Sequence, residues 1–161
     1  MEVDNTIWPD TKRIVVVFSF EDDEQFDLYL DAFDKFRGEN NLKAMSVICI
    51  LPPEVKRETY QQVRKVKFIS KKDFNFFGKM KNTDIEYELQ QHFDLLAWFG
   101  DCTEKRVLSA LMQLDCHWKI GFRTTHDFFN FQLSTQTETP YEMINFAKQI
   151  LEKTSGHEQS I

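Results

Sequence analysis

The sequence predicts an α/β fold, a three-layer sandwich with a mainly parallel sheet of Rossmann-like or flavodoxin-like type, and three observations predict it. Runs of β-branched and aromatic residues with no polar face recur along the chain, as in strands buried on both sides. Amphipathic segments separate these runs, the alternation that βαβ units produce. The chain has 161 residues, 42% hydrophobic, with only 5 Gly and 4 Pro. That length suits one core burying roughly 70% of the unfolded surface, and the composition excludes a disordered or loop-rich chain.

Residues 1–12 mix Asp, Asn, Pro and Trp without periodicity and are expected to form an arm pinned by Ile7 and Trp8. A single α/β domain is expected over 13–153, and a flexible polar tail over 154–161. Residues 13–20 are an unbroken β-branched and aromatic run, the first buried strand. Glu21, Asp22, Asp23 and Glu24 then complement the positive end of a helix dipole. Phe26, Tyr29, Leu30, Phe33 and Phe36 follow at helical spacing, and Gly38 is expected to end that helix.

Residues 43–51 read as a second buried strand stopped by Pro52 and Pro53. Over 54–64 Val55, Thr59, Tyr60 and Val63 fall on a helical period, and 67–70 is a short strand. Residues 93–99 form a strong strand closed by Gly100. Thr103 is expected to cap a helix running through Leu114, with Val107, Leu108, Leu111 and Leu114 as its apolar stripe. Residues 117–122 and 128–133 read as strands, the latter at an edge, and 140–153 as a closing helix.

The formal charge is −6. The longest apolar runs, 14–18 and 47–51, fall far below the roughly 20 residues of a membrane-spanning helix. The N-terminus starts acidic, without the basic start and apolar stretch of a secretion signal. Three cysteines without CxxC spacing argue against a disulfide framework. The expectation is a cytoplasmic protein with no membrane partner. Sixteen Phe spread over the whole chain point to a large aromatic core.

After the first strand a dinucleotide site would show G-x-G-x-x-G, whose glycines let the backbone approach pyrophosphate. Ser19-Phe20-Glu21-Asp22-Asp23-Glu24 has no Gly and four acids, so no cofactor is expected there. The acids have the chemistry to hold a divalent metal, but helix starts are ordinarily acidic, and no metal site is assigned. Cys102 follows Gly100-Asp101 at a helix start, where a thiol can be activated. Cys116, His117 and His126 lie near it in sequence without structural-zinc spacing, so the thiol is read as inert. Ser19 and His92 suggest no catalytic constellation, and no catalytic residue is assigned.

The strongest anomaly is charge. Between residues 64 and 81 seven Lys and Arg face one acid, Asp73, for a local +6, whereas 1–63 and 82–161 each sum to −6. Lysines interleave there with Phe74, Phe76 and Phe77 around Gly78. Lys71, Lys72, Asn75, Gly78, Lys79 and Lys81 are therefore the candidate site for an anionic ligand. The competing and favoured reading is a solvated basic loop whose Phe residues plug the core. Nucleic acid is disfavoured by the negative total charge.

The stretch Asp73-Phe74-Asn75-Phe76-Phe77-Gly78-Lys79-Met80-Lys81-Asn82, followed by Phe93-Asp94-Leu95-Leu96, Ala110-Leu111 and Lys119-Ile120-Gly121-Phe122, resembles a short uncharacterised Bacteroidota family, a domain of unknown function. The resemblance spans most of the chain and implies no activity. Residues 93–122 are also similar to the N-terminal, Rossmann-like half of heptosyltransferase-type glycosyltransferases. Those enzymes, as that resemblance implies, hold the sugar nucleotide mainly with a second domain and carry a Gly-Asp loop after strand one, where this chain has Phe18-Ser19-Phe20-Glu21.

Two functions follow. One is a non-catalytic cytoplasmic α/β domain acting through a protein partner or its own homodimer. The other is a binder of, or enzyme on, a phosphorylated or anionic small molecule. Lysines converging on a concave pocket favour the second; lysines radiating into solvent beside an apolar patch favour the first.

Overall fold

The computed structural model describes residues 6–60, 65–133 and 139–154. Six strands, β1 (Arg13–Ser19), β2 (Ala44–Ile50), β3 (Val66–Ile69), β4 (His92–Phe99), β5 (Asp115–Phe122) and β6 (Phe131–Leu133), form one sheet in the order 3-2-1-4-5-6. Every neighbouring pair is parallel, with Val16 of β1 set between Val47 of β2 and Ala97 of β4. This is the doubly wound Rossmann order, which reverses between β1 and β4, and not the flavodoxin order.

Side chains alternating along each strand divide the core in two. On one face Ile14, Val16 and Phe18 of β1 and Leu95, Ala97 and Phe99 of β4 meet α1 (Asp23–Glu39) and α4 (Pro140–Lys153). On the other, Val15, Val17, Leu96 and Trp98 meet α2 (Thr83–Leu89) and α3 (Lys105–Met112) through Ile85, Val107 and Leu111. The first face holds the aromatic core. Phe18 stacks on Tyr29 with centroids 4.7 Å apart and touches Phe26 and Phe33. Ile7 is buried, with its N–H directed to the carbonyls of Leu151 and Thr154 at the end of α4, and Trp8 packs edge-on to Phe36.

Several element boundaries differ from expectation for identifiable reasons. Gly38 lies inside α1, which stops at Asn40, whose Nδ2 donates to the Phe36 carbonyl. The N-cap of α3 is Glu104, not Thr103; its carboxylate accepts from the Arg106 N–H. The helical period over 54–64 yields a 3-10 turn at Arg57–Thr59, and 61–64 lie outside the described residues, as do 1–5 of the expected arm and 155–161 of the expected tail. Helix α2 was not signalled, because Ile85 is its one buried side chain. The crossover from β5 to β6 is not helical: it takes residues 123–130, with Phe128 and Phe129 packed against Trp98.

Removing a ring from the centre of the larger core tests its weight. Phe18→Ala is expected to lower unfolding free energy by about 3–5 kcal/mol, read from the midpoint shift in urea denaturation at unchanged m-value.

Candidate functional site

Two places on the fold gather functional groups: the crevice at the strand-order reversal and the lysine-rich connection between β3 and α2. The crevice has a volume of about 300 Å³, between the C-terminal ends of β1 and β2 and the start of α3. Its charged lining is Glu54, Asp101 and Glu104 against Lys71, a predominantly acidic surround. At its rim one carboxylate oxygen of Asp101 gathers three hydrogen bonds. Its Oδ1 accepts from the Thr125 N–H at 2.7 Å, the Thr124 hydroxyl at 2.8 Å and the Thr125 hydroxyl at 3.2 Å. The Thr125 N–H, chief among these donors, holds the Asp101 carboxyl below the usual carboxylate range.

Cys102 beside it is buried. Its N–H donates to His126 Nε2 at 3.1 Å. Burial raises the thiol's pKa, and its Sγ faces the Glu104 carbonyl at 3.6 Å. That is the opposite of what thiolate chemistry needs. The acids after β1 have local tasks: Asp22 caps α1 through the Gln25 N–H, and Asp23 accepts from the Tyr60 hydroxyl at 2.5 Å. Among the described residues no three His, Cys, Asp or Glu side chains gather as a metal-binding group.

The β3–α2 connection is an ordered hairpin. Its base is built on Asp73, only 6% exposed. The carboxylate accepts both Arg57 Nη2 contacts, at 2.7 and 2.8 Å, the Ser70 N–H at 2.8 Å and Asn82 Nδ2 at 3.0 Å. The Ser70 hydroxyl accepts in turn from the Lys72 N–H, completing a capping box over a 3-10 turn. Asn82 passes the order on, its Oδ1 accepting from the Asp84 and Ile85 N–H groups at the start of α2.

Above this base Phe74 and Met80 pair as an antiparallel bridge. The Lys81 N–H donates to the Asp73 carbonyl and the Asn75 N–H to the Lys79 carbonyl, both at 2.8 Å. The turn closes on Asn75, whose Oδ1 accepts from the Phe77 and Lys79 N–H groups at 2.9 Å. Gly78 has φ +80°, a conformation that favours glycine. From α3, Arg106 donates to the carbonyls of Asn75 at 3.3 Å and Phe76 at 3.2 Å, clamping the tip from behind.

The predicted ligand residues divide accordingly. Asn75 and Gly78 build the turn itself. Lys71, Lys72, Lys79 and Lys81 are all exposed, and Lys71 reaches the wall of the acidic crevice. Phe74 does plug the core, at 8% exposed, but Phe76 and Phe77 stand 86% and 90% exposed, edge to face at 5.5 Å. Sequence reasoning missed Arg57, Asn82 and Arg106. Of the base, only the S-x-x-D spacing of Ser70 and Asp73 was a readable sign.

Beneath the hairpin, α2 and α3 enclose a groove of about 660 Å³ whose apolar lining is Phe74, Met80, Leu89 and Ala110. Its charged lining is Glu86, Lys105, Arg106 and Asp115.

Two substitutions test these assignments. Asp73→Ala removes the carboxylate that accepts from Arg57 Nη2, the Ser70 N–H and Asn82 Nδ2, and is expected to cost on the order of 2–4 kcal/mol. Faster amide exchange at Asn75, Gly78 and Lys81 should accompany it. Asp101, with its pKa lowered in the fold, adds stability that is complete above the unfolded value near 3.9 and lost as pH falls through the folded value. Asp101→Asn is therefore expected to flatten the acid limb of the melting-temperature profile below about pH 4, measured by scanning calorimetry.

No curated protein and no solved structure matches the chain. A family model does: the family of unknown function DUF6913 matches residues 2–153, nearly the full length. The protein is thus a member of that family.

Proposed function

We propose that the protein is a non-catalytic, cytoplasmic interaction domain whose hairpin tip docks onto another protein surface. The observation that carries this reading is the pair Phe76 and Phe77, held almost fully in water by a turn that six hydrogen bonds involving Asn75, Gly78 and Arg106 keep in shape. Aromatic residues on a rigid support are the usual energetic centre of a protein interface, since little conformational freedom is lost on docking. Lys79 and Lys81, both exposed, follow the pair on the returning arm of the hairpin and give that arm a positive charge. The partner surface is accordingly an apolar recess with acidic edges.

Other features support this reading over small-molecule chemistry. The crevice at the strand-order reversal is lined mainly by acids, which disfavour a phosphate. Cys49, Cys102 and Cys116 are free thiols, as in a reducing compartment. Among the described residues no helix is long and apolar enough to cross a membrane.

Photo-crosslinking tests the reading. With benzoylphenylalanine in place of Phe77, irradiation of living cells is expected to give discrete protein adducts that the same probe at Leu28, half-exposed on α1, does not give. Absence of protein adducts at position 77, or co-sedimentation of the purified chain with phosphatidylserine vesicles through the same two rings, overturns it.

A further inference from the structure

The crevice at the strand-order reversal is unsuited to a phosphate, but its lining has a chemistry of its own. We infer that it is a binding site for a small organic ammonium compound, whose cationic head meets the carboxylates while its apolar body lies on the crevice walls. The inference goes beyond the docking reading above and does not depend on it.

Four observations carry it. The first is place. In an open parallel sheet ligands sit beyond the C-terminal ends of the strands, where the strand order reverses. The crevice lies there, between the ends of β1 and β2 and the loop that joins β4 to α3, and its volume of about 300 Å³ is that of a site for a compact small molecule. The second is sign. Glu54, Asp101 and Glu104 stand against Lys71 alone. Folding occupies one oxygen of Asp101, through Thr124 and Thr125, and one of Glu104, through the Arg106 N–H, and the charge of both carboxylates stays at the crevice. Among the described residues none forms a hydrogen bond or ion pair with the Glu54 side chain.

The third is spacing. Among the described residues these carboxylates do not gather as a metal-binding group. A bare divalent cation draws its oxygens to roughly 2.0–2.6 Å from one point, whereas carboxylates set apart around an opening suit an ion that carries an organic body. The fourth is the wall. Phe20, Ile50, Pro52 and Pro53 supply apolar surface between the charges. The half-buried Phe20 ring is held in place by Phe26 and Tyr60, at centroid distances of 5.8 and 5.2 Å. An anchored aromatic ring beside carboxylates is the combination that attracts an alkylammonium group, through its π system and through charge together.

The test follows backbone amide resonances of the full isotope-labelled chain as three probes on one carbon skeleton are added: cyclohexylmethylamine, a cation at neutral pH, the uncharged cyclohexylmethanol, and the anion cyclohexanecarboxylate. The amine is expected to move the amides of Phe20, Glu54 and Thr103 saturably, with a dissociation constant of about 10 mM or tighter. The alcohol and the carboxylate are expected to bind at least about 10-fold more weakly. Two variants act on charge and on space at exposed positions of the lining. Glu54→Gln is expected to weaken amine binding at least about 3-fold and Thr103→Trp at least about 10-fold, with resonances remote from the crevice unmoved. Phe76→Ser with Phe77→Ser is expected to leave amine binding unchanged, which separates the crevice from the aromatic tip. Equal binding of amine and alcohol overturns the inference, as do amine shifts that persist in both crevice variants or vanish with the tip rings. Absence of a saturable shift at about 50 mM amine overturns it as well. An amine site without protein adducts at position 77 removes the docking reading and leaves this one standing, and adducts without an amine site do the reverse.

Discussion

The central strands β1 and β4 are apolar on both faces, and everything else in the molecule answers the need to cover them. On one side the task falls to α1 and α4, 17 and 14 residues long, which bring enough Phe, Leu and Ile to close an aromatic layer. On the other side α2 and α3 span only 7 and 8 residues. They leave part of Val15, Val17, Ile69 and Trp98 to be covered by something that is not a helix. Two irregular segments do it: the β3–α2 hairpin inserts Phe74, and the β5–β6 crossover lays Phe128 and Phe129 against Trp98. Irregular backbone near a core needs its polar groups satisfied locally. Asp73 and Asn75 meet that requirement in the first segment, and Asp101 meets it for the second by accepting from Thr124 and Thr125.

Asp73 and Asp101 play parallel parts in meeting it. Each is a single carboxylate accepting several hydrogen bonds from a non-helical loop, Asp73 from Arg57, Ser70 and Asn82, Asp101 from Thr124 and Thr125. They differ in burial, and so in what they do. Asp73 is enclosed and charge-paired, which makes the hairpin base rigid and fixes the start of α2. Asp101 is exposed at the rim of the crevice, where its hydrogen bonds hold the crossover against the Gly100 turn. The acids at the strand-order reversal are thus largely structural, and the polarity there is set by folding needs. Where a nucleotide-binding member of this fold class has glycines and helix amides free for phosphate, this chain has carboxylates.

How far the sequence revealed this depends on whether a feature was local. β1, β2 and β4 were legible because burial on both faces leaves an unbroken apolar run. α1 and α4 were legible because nearly four turns or more are enough to display a helical period. α2 was not, since one buried Ile85 in seven residues has no period to show. The strand order was not readable either, because Rossmann and flavodoxin orders use the same alternation of elements. The hairpin region was visible as a charge anomaly, but its framework was not: Arg57 lies 16 residues from its partner Asp73, and Arg106 lies 31 and 30 residues from its partners Asn75 and Phe76. Nor does composition tell Phe74 from Phe76 and Phe77. One faces the sheet and two face water, a difference decided by the turn and by the guanidinium behind it.

That difference has an energetic meaning. Burying a Phe side chain contributes about 1.5–3 kcal/mol, so leaving two in water forgoes roughly 3–6 kcal/mol. Domains of this kind have a net stability of only about 5–15 kcal/mol. A slack loop of the same composition would recover part of that by collapsing its rings onto the groove next to it. Here the collapse is opposed by contacts that do nothing for the sheet: the Arg106 clamp, the Asn75 turn and the left-handed Gly78. In the docking role proposed above, ordering the tip before a partner arrives would reduce the conformational entropy lost on docking and leave the apolar surface gained at that step undiminished. The exposure of Phe76 and Phe77 is therefore held by the turn itself, which is what the docking role proposed above requires of it.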